Sequence, residues 1–238
     1  YLSYSRTFYP NRSVRVYLNN VAQRVFHSIY KNRSKRFSRF KEFWKEDLPH
    51  LVYDSRKNLL TALIVFVLSM AIGVMSSIYN PEFPRQILGD SYIEMTKANI
   101  QTGDPMAVYK KSSEIDMLLG ITLNNLMVAA LAFVMGVFFS IGTIGVLIVN
   151  GIMVGCFQYF FYEQGLFVES FLTIWLHGTL EISAIVIAGG AGLTLGSGMV
   201  FPGTYTRGQA FRIGAYRGMK IMMGIMPIIC FAAIIESF

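Results

Sequence analysis

The stretch MLLGITLNNLMVAALAFVMGVFFSIGTIGVLIVNGIMVGCFQYFFY, residues 117–162, contains 46 consecutive residues without a formal charge. A bilayer core about 30 Å thick needs roughly 20 helical residues per crossing, so the stretch is long enough for two membrane-spanning helices. Ser140 and Gly142 lie near its midpoint, where they predict a tight turn. Residues 117–162 therefore predict a helical hairpin embedded in a membrane.

Apolar runs of similar length lie on both sides of this hairpin. Residues 59–79 contain no charge, residues 171–195 contain one carboxylate, and residues 214–235 carry Arg217 and Lys220 near their start, from where both cations can reach the interface. Strands of a membrane barrel need only about 9–11 residues, so these runs exclude a barrel. The sequence predicts an all-α polytopic membrane protein with five visible spans, and a sixth span is expected because the chain ends directly after the fifth.

The distribution of charge predicts the orientation. Before the first span lie 13 of the 21 Lys and Arg residues, whereas residues 80–116 carry four basic and six acidic residues. Because cytoplasmic segments are enriched in Lys and Arg, we expect a cytoplasmic N-terminus in the inner membrane. Residues 1–58 form a basic cytoplasmic region, residues 59–238 form the transmembrane domain, and residues 80–116 form an external segment with one or two small helices.

The basic region contains a candidate membrane-surface helix. Aromatic residues recur in it at helical spacing among cations; the residues concerned are Lys35, Arg36, Phe37, Arg39, Phe40 and Trp44. Such a helix would place its aromatic edge in the head-group layer and its cations against anionic lipids, and Pro49 would end it. The alternative is that these charges only set the topology. Neither interpretation predicts a nucleic-acid partner.

Polar residues inside the apolar runs are the candidate functional site. His177 and Glu181 stand one helical turn apart in the fourth span, and Asn124, Asn125 and Asn150 lie at comparable depths in the second and third spans. Ionisable groups in a span face the protein interior and mark a site by default. We expect these side chains to form one buried polar network if their helices face one another.

Three uses of this network stay open at the sequence level. It could be structural and tie helices together, it could be a proton, ion or head-group site, or it could bind a metal. A zincin needs a second histidine on the same turn, and none is present beside His177. The sequence predicts no catalytic residue, no metal and no cofactor.

Pairs of glycines four residues apart predict close helix packing. The pairs are Gly151 and Gly155, Gly192 and Gly196, and Gly214 and Gly218, and Gly178 next to His177 is a further small residue of this kind. This spacing lets two helix backbones approach closely. The contact could lie within one subunit or form the face of a homodimer.

These residues also carry a family resemblance. Asn124-Asn125, Asn150-Gly151, His177-Gly178 with Glu181, and the glycine-rich run 187–193 resemble, in this order, the stage II sporulation protein M family. Similar segments occur at residues 6–11, 17–19 and 235–238, so the resemblance covers nearly the whole chain. Family members typically continue into another span, which agrees with the expected sixth helix.

The resemblance implies a function only in outline. The family's namesake looks like a membrane subunit that localises cell-wall hydrolases during engulfment, so it implies a scaffold or assembly subunit of an envelope complex. The family also looks distantly similar to permease subunits of ATP-driven exporters, which implies transport of a lipid, ion or other amphiphile with a separate ATPase. The expected partners are the lipid bilayer, other envelope proteins and a second copy of the chain.

Overall fold

The computed structural model describes residues 12–30, 40–101 and 114–237, and no strand occurs within these ranges. The chain separates into two compact units, residues 1–45 and residues 46–238. Helix α1 of the first unit spans Arg12–Tyr30. Residues 40–42 are also helical, and a π-helical turn, Phe43–Asp47, contains the boundary between the two units.

The second unit is a bundle of helices. In chain order these are α2 (Leu48–Asp54), α3 (Arg56–Tyr79), α4 (Phe83–Leu88), α5 (Asp90–Gln101), α6 (Glu114–Val134), α7 (Ile141–Glu163), α8 (Phe167–Val200) and α9 (Arg207–Ser237). The long helices alternate in direction along the chain. One end of the bundle holds the turn between α6 and α7 and is called the Ser140 end; the other holds the turn between α7 and α8 and is called the Gln164 end.

The long helices have the length and composition of membrane spans. Among the described residues, four stretches qualify: Arg56–Tyr79, Ile141–Glu163, Gly178–Val200 and Arg207–Ala232. The apolar part of α6 with the turn after it, Thr122–Val137, is shorter. Helices satisfy their backbone polar groups internally, which lipid requires. The predicted all-α polytopic membrane fold is confirmed.

Helices α8 and α9 are longer than the sequence predicts. They contain 34 and 31 residues, which at about 1.5 Å per residue gives lengths of about 51 and 46 Å. Both exceed the roughly 30 Å of a bilayer core. They continue past the apolar runs because they pack against each other there: a β-carbon added at Gly198 of α8 would lie 2.6 Å from the Ala210 carbonyl oxygen of α9.

The α6–α7 hairpin turns slightly earlier than expected. A short 3-10 turn, Met135–Val137, follows α6, and Phe139 and Ser140 then adopt left-handed backbone angles with φ of 52° and 69°. These two residues reverse the chain, so that Ile141 is already helical. The Thr143 hydroxyl donates to the Ala132 carbonyl oxygen at 2.7 Å and ties the two arms together.

Small residues fill the centre of the bundle. A buried cluster joins α6, α8 and α9 and consists mainly of alanines with three isoleucines and a methionine: Ala129, Ala132, Ala184, Ala188, Ala191, Ile221, Met222, Ile225 and Ile229. Short side chains allow the helix axes to approach one another. Because lipid tails are as apolar as these residues, close van der Waals packing is what stabilises the contact.

Glycines bring α3 and α7 into main-chain contact. A β-carbon added at Gly151 would lie 2.7 Å from the Phe66 carbonyl oxygen, and one at Gly155 would collide with the Met70 carbonyl. From the other side, a β-carbon at Gly73 would collide with the backbone of Ile152. These distances are shorter than real β-carbon contacts, so only glycine fits at the crossing.

The remaining glycine pairs serve contacts of α8 and α9. Gly192 and Gly196 lie against the α6–α7 hairpin. An added β-carbon at Gly192 would lie 2.6 Å from Thr143 Oγ1, and one at Gly196 would lie 2.6 Å from the Gly136 carbonyl oxygen. Added β-carbons at Gly214 and Gly218 of α9 would lie 2.8 Å from carbonyl oxygens of α8. All three pairs thus contact the chain's own helices, which leaves other faces for a homodimer.

The segment between α3 and α6 begins with two short helices at the Gln164 end. Ile93 of α5 packs with Phe160 and Phe161 of α7 in a small buried cluster. Arg85 lies 3.2 Å from Asp90 and 3.8 Å from both Glu82 and Glu94. The apolar contact therefore holds α5 against α7, and the ion pairs of Arg85 join α4 to α5. Residues 102–113 lie outside the described part of the chain.

We predict that Gly155→Ala destabilises the protein by about 1–3 kcal/mol, because the added methyl group meets the main chain of α3 and overpacks the crossing. Gly145→Ala is the matched control on the same helix, where no described atom lies within 4 Å of an added β-carbon. It should be neutral or stabilising by up to about 1 kcal/mol. Reversible unfolding in mixed micelles measures both, and equal stabilities would contradict the packing described here.

Candidate polar sites in the bundle

Asn125 and Glu181 meet between α6 and α8. Asn125 Nδ2 donates to Glu181 Oε1 at 2.5 Å, and Asn125 is 9% exposed while Glu181 is half-buried. Ala129 and Ala184 follow the pair on the same two helix faces and belong to the alanine cluster. The close contact between the alanines thus positions the carboxamide and the carboxyl group to pair at its edge.

The other two asparagines have different surroundings. Asn150 Nδ2 donates to the Val146 carbonyl oxygen of its own helix at 2.8 Å. Asn124 is exposed, in contrast to the expectation that it is buried. Neighbouring positions on a helix point about 100° apart, so α6 directs Asn125 toward α8 and Asn124 away from the bundle. The described contacts join Asn125 to Glu181 and leave Asn150 bonded within α7.

His177 lies on α8 one turn before Glu181, and its side chain is outside the described part of the structure. Gly178 beside it is buried and lines a cavity of about 320 Å³ together with Trp175, Gln158 and Tyr92. Trp175 Nε1 donates to Gln158 Oε1 at 2.7 Å. This bond connects α7 and α8 near the Gln164 end and gives the apolar cavity one polar wall.

The described side chains do not form a metal site. Among them, no group of three or more His, Cys, Asp and Glu residues lies close enough to hold a metal ion. Cys156 is buried, and its thiol faces the Gly73 carbonyl oxygen at 3.6 Å, while Cys230 is exposed. Both cysteines are free thiols.

A second polar cluster lies at the Ser140 end. Asn58 Nδ2 donates to Thr194 Oγ1 at 3.1 Å and to Ser197 Oγ at 3.3 Å, which joins the start of α3 to the end of α8. The two hydroxyls also donate to carbonyl oxygens of their own helix, those of Gly190 and Thr194. The sequence does not predict this cluster because Asn58 directly follows Lys57 and looks like the edge of a span. The pattern that could have indicated it is three polar residues at the ends of two spans, which the alternating direction of the helices brings to the same side of the membrane.

The match with known families covers most of this bundle. The model of the family described as Stage II sporulation protein M matches residues 62–238. The chain belongs to the stage II sporulation protein M family. The match includes Asn125, Glu181, Thr194 and Ser197, and it begins just after Asn58, so the resemblance expected for residues 6–19 lies outside it. No curated protein and no solved structure matches the chain.

In this family member, two ion pairs attach α2 and Asp47, the residue directly before it, to α9. Lys220 Nζ lies 2.8 Å from Asp47 Oδ2, and Arg217 lies 3.7 Å from Asp54 Oδ2. Leu48 fits against Gly224, where an added β-carbon would lie 2.7 Å from Leu48 Cδ1. Arg217 and Lys220 of α9 thus have carboxylate partners in the protein, whereas the sequence suggested that both side chains extend to the interface.

Only part of the predicted membrane-surface helix lies within the residues that the structure describes. Lys35, Arg36, Phe37 and Arg39 lie outside the described residues. Phe40 is 62% exposed and Trp44 is half-buried, with ring centroids 6.3 Å apart. Pro49 lies in the first turn of α2, a position that proline tolerates. The chain stays helical past this residue, so the expectation that Pro49 ends the helix is wrong.

We predict an energetic coupling between Asn125 and Glu181. In a double-mutant cycle with Asn125→Ala and Glu181→Ala, the coupling should be favourable by about 0.6 to 1.7 kcal/mol, which are the average and the largest values for hydrogen bonds between membrane helices. Exposed Asn124 is the matched control, and Asn124→Ala with Glu181→Ala should be additive within about 0.5 kcal/mol. Unfolding free energies in mixed micelles measure both cycles. Equal coupling in the two cycles would contradict a specific bond.

Proposed function

We propose that this protein is a membrane scaffold or assembly subunit of a bacterial cell-envelope complex, without catalytic activity of its own. The observation that carries the proposal is main-chain contact between helices: α3 with α7, the α6–α7 hairpin with α8, and α8 with α9 all meet at glycines. Such contacts oppose sliding of the helices past one another. A bundle of this kind presents fixed outer faces, which suits a subunit that positions partners.

The outer face of α3 is a candidate surface for a partner helix. It exposes an apolar stripe made of Ile64, Leu68, Ile72 and Met75. In a membrane this stripe contacts lipid, the helix of another envelope protein or a second copy of the chain. We propose a homodimer or an envelope partner here because the glycine faces are used within the chain.

The distribution of charge supports an inner-membrane orientation with a cytoplasmic N-terminus. Arg56 and Lys57 start α3 at the Ser140 end, and Arg207 and Arg212 start α9 there. At the Gln164 end, three carboxylates surround a single arginine, Arg85. Because Lys and Arg favour the cytoplasmic side, we propose that the Ser140 end faces the cytoplasm.

A permease-like subunit is the second candidate, and one observation favours it. An apolar cavity of about 670 Å³ lies between α3 and α8, with Arg56 near its Ser140 end and Trp175 toward its Gln164 end. Its walls, which include Leu63, Val67 and Val186, suit an acyl chain. In this candidate a separate ATPase drives movement of a lipid, ion or other amphiphile, and Glu181 takes part in coupling.

Affinity purification from mild detergent tests the two candidates, using the wild type, Glu181→Gln and the packing control Gly145→Ala. For a scaffold, all three variants should recover the same envelope partner, such as a cell-wall hydrolase, in equal amounts. The reason is that Glu181→Gln keeps the shape of the side chain and an acceptor oxygen for Asn125, while the outer faces stay unchanged. Partners are identified and quantified by mass spectrometry.

The permease candidate predicts a different outcome of the same experiment. An ATPase should co-purify, and Glu181→Gln should leave its binding intact but abolish coupled transport in vesicles. Loss of the partner from a Glu181→Gln protein that retains wild-type thermal stability would contradict the scaffold proposal. An ATPase partner with transport that depends on Glu181 would replace it.

A further inference from the structure

A polar cavity of about 300 Å³ lies at the Ser140 end of the bundle, between the start of α3, the end of α8 and the start of α9. Its lining includes Asp54, Ser55, Asn58, Thr194, Ser197 and Arg217. The volume corresponds to about ten water molecules at their liquid density, which is room for a small polar group. It is separate from the Asn125–Glu181 pair and from the apolar cavity beside α3.

Ser55 is the residue that points to a ligand. It occupies the break between α2 and α3 and is 3% exposed. Its amide donates to the Leu51 carbonyl oxygen and its carbonyl accepts from the Leu59 amide, both at 3.0 Å. Its hydroxyl is buried and has no hydrogen-bond partner among the described residues. Because a buried hydroxyl without a partner is costly, a ligand in the cavity would satisfy it.

Two opposite charges border the same cavity. Arg217 lies 3.7 Å from Asp54 Oδ2, which is longer than the roughly 2.7–2.9 Å of a charge-assisted hydrogen bond. The guanidinium and the carboxylate are each about half-exposed, at 45% and 51%. The pair is therefore loose, and both groups retain capacity for a ligand that carries one charge of each sign.

We propose that this cavity binds the phosphoethanolamine head group of a membrane phospholipid. The phosphate accepts from the Arg217 guanidinium and the Ser55 hydroxyl, and the primary ammonium donates to the Asp54 carboxylate. A zwitterion balances both charges of the site, whereas a purely anionic head group would leave Asp54 facing a like charge. Asn58, Thr194 and Ser197 form the polar wall and position the ends of α3 and α8.

The position of the cavity favours a lipid as the source of this group. Asn58 is the third residue of the apolar helix Arg56–Tyr79, and Thr194 and Ser197 lie in the last two turns of α8. Phe201 and Tyr205 also line the cavity and are 80% and 58% exposed. Aromatic residues at the ends of spans lie at head-group level, so the cavity opens where phospholipid head groups reside.

Ligand-induced thermal stabilisation of the full chain in detergent tests the proposal. The probes are short-chain phosphatidylethanolamine, phosphatidylcholine and phosphatidylglycerol with identical acyl chains, and free phosphoethanolamine. We expect phosphatidylethanolamine to bind at least tenfold more tightly than phosphatidylcholine, whose ammonium has no N–H donor. Arg217→Gln should weaken its binding about tenfold or more, since a hydrogen bond to a charged group is lost.

Matched variants separate binding from folding. Arg212→Gln removes a cation from the same helix outside this cavity and should bind like the wild type, while Arg217→Lys should restore much of the affinity. Ser55→Ala should weaken binding, and exposed Ser91→Ala should not. Each shift is measured against the variant's own ligand-free Tm. Should Arg217→Gln not fold, Asp54→Asn supplies the test, because it should abolish the preference for phosphatidylethanolamine over phosphatidylglycerol.

Two results would overturn the proposal. The first is equal binding of the three lipids, with Arg217→Gln indistinguishable from Arg212→Gln, which would show that acyl chains alone bind. The second is free phosphoethanolamine binding as tightly as the lipid, which would assign the cavity to a water-soluble zwitterion. Selective binding of phosphatidylethanolamine that requires Arg217 and Ser55 would establish the head-group site.

Discussion

Main-chain contact between helices at glycine is the constraint on which this structure depends. Water does not drive helices together inside a bilayer, so van der Waals contact at short range has to stabilise the bundle. Gly192 and Gly196 allow α8 to approach the α6–α7 turn so closely that the Ser140 hydroxyl faces the Leu193 carbonyl oxygen at 3.5 Å. The left-handed turn at Phe139 and Ser140 is thereby held against α8, and the direction of both hairpin arms follows from it.

The same close approach determines how polar side chains are used. Thr143 donates across the hairpin to Ala132, and the Cys156 thiol faces the carbonyl oxygen of Gly73 on α3. In both cases a short side chain reaches the main chain of a neighbouring helix, which it could not do between helices separated by larger residues. These polar groups are accordingly structural. Functional candidates are the groups that such packing does not explain, namely the Asn125–Glu181 pair and the Ser55 cavity.

The apolar runs predicted the helices because the length of a span is fixed by the bilayer and needs no knowledge of contacts. The faces of the helices were less accessible to sequence reasoning. Asn124 and Asn125 are the same residue type at nearly the same depth, yet only Asn125 faces α8. The reason is that the packing of Ala129 and Ala132 sets the rotation of α6 about its axis. The Ser55 cavity was not predicted because it joins three helix ends whose alignment depends on the glycine contacts. The ion pairs of Lys220 and Arg217 escaped prediction for the same reason.

Helix α8 connects both candidate sites. Glu181 and Thr194 are thirteen residues apart, or about 20 Å along the helix axis, and the segment between them is fixed at Gly190 against Leu59 of α3 and at Gly192 against the α6–α7 hairpin. These contacts limit how far this part of α8 can shift relative to α3 and the hairpin. A permease would have to open the α3–α8 contact, which breaks the bonds from Asn58 to Thr194 and Ser197. A scaffold would keep that contact closed, and a head group bound beside Asn58 would help to hold it.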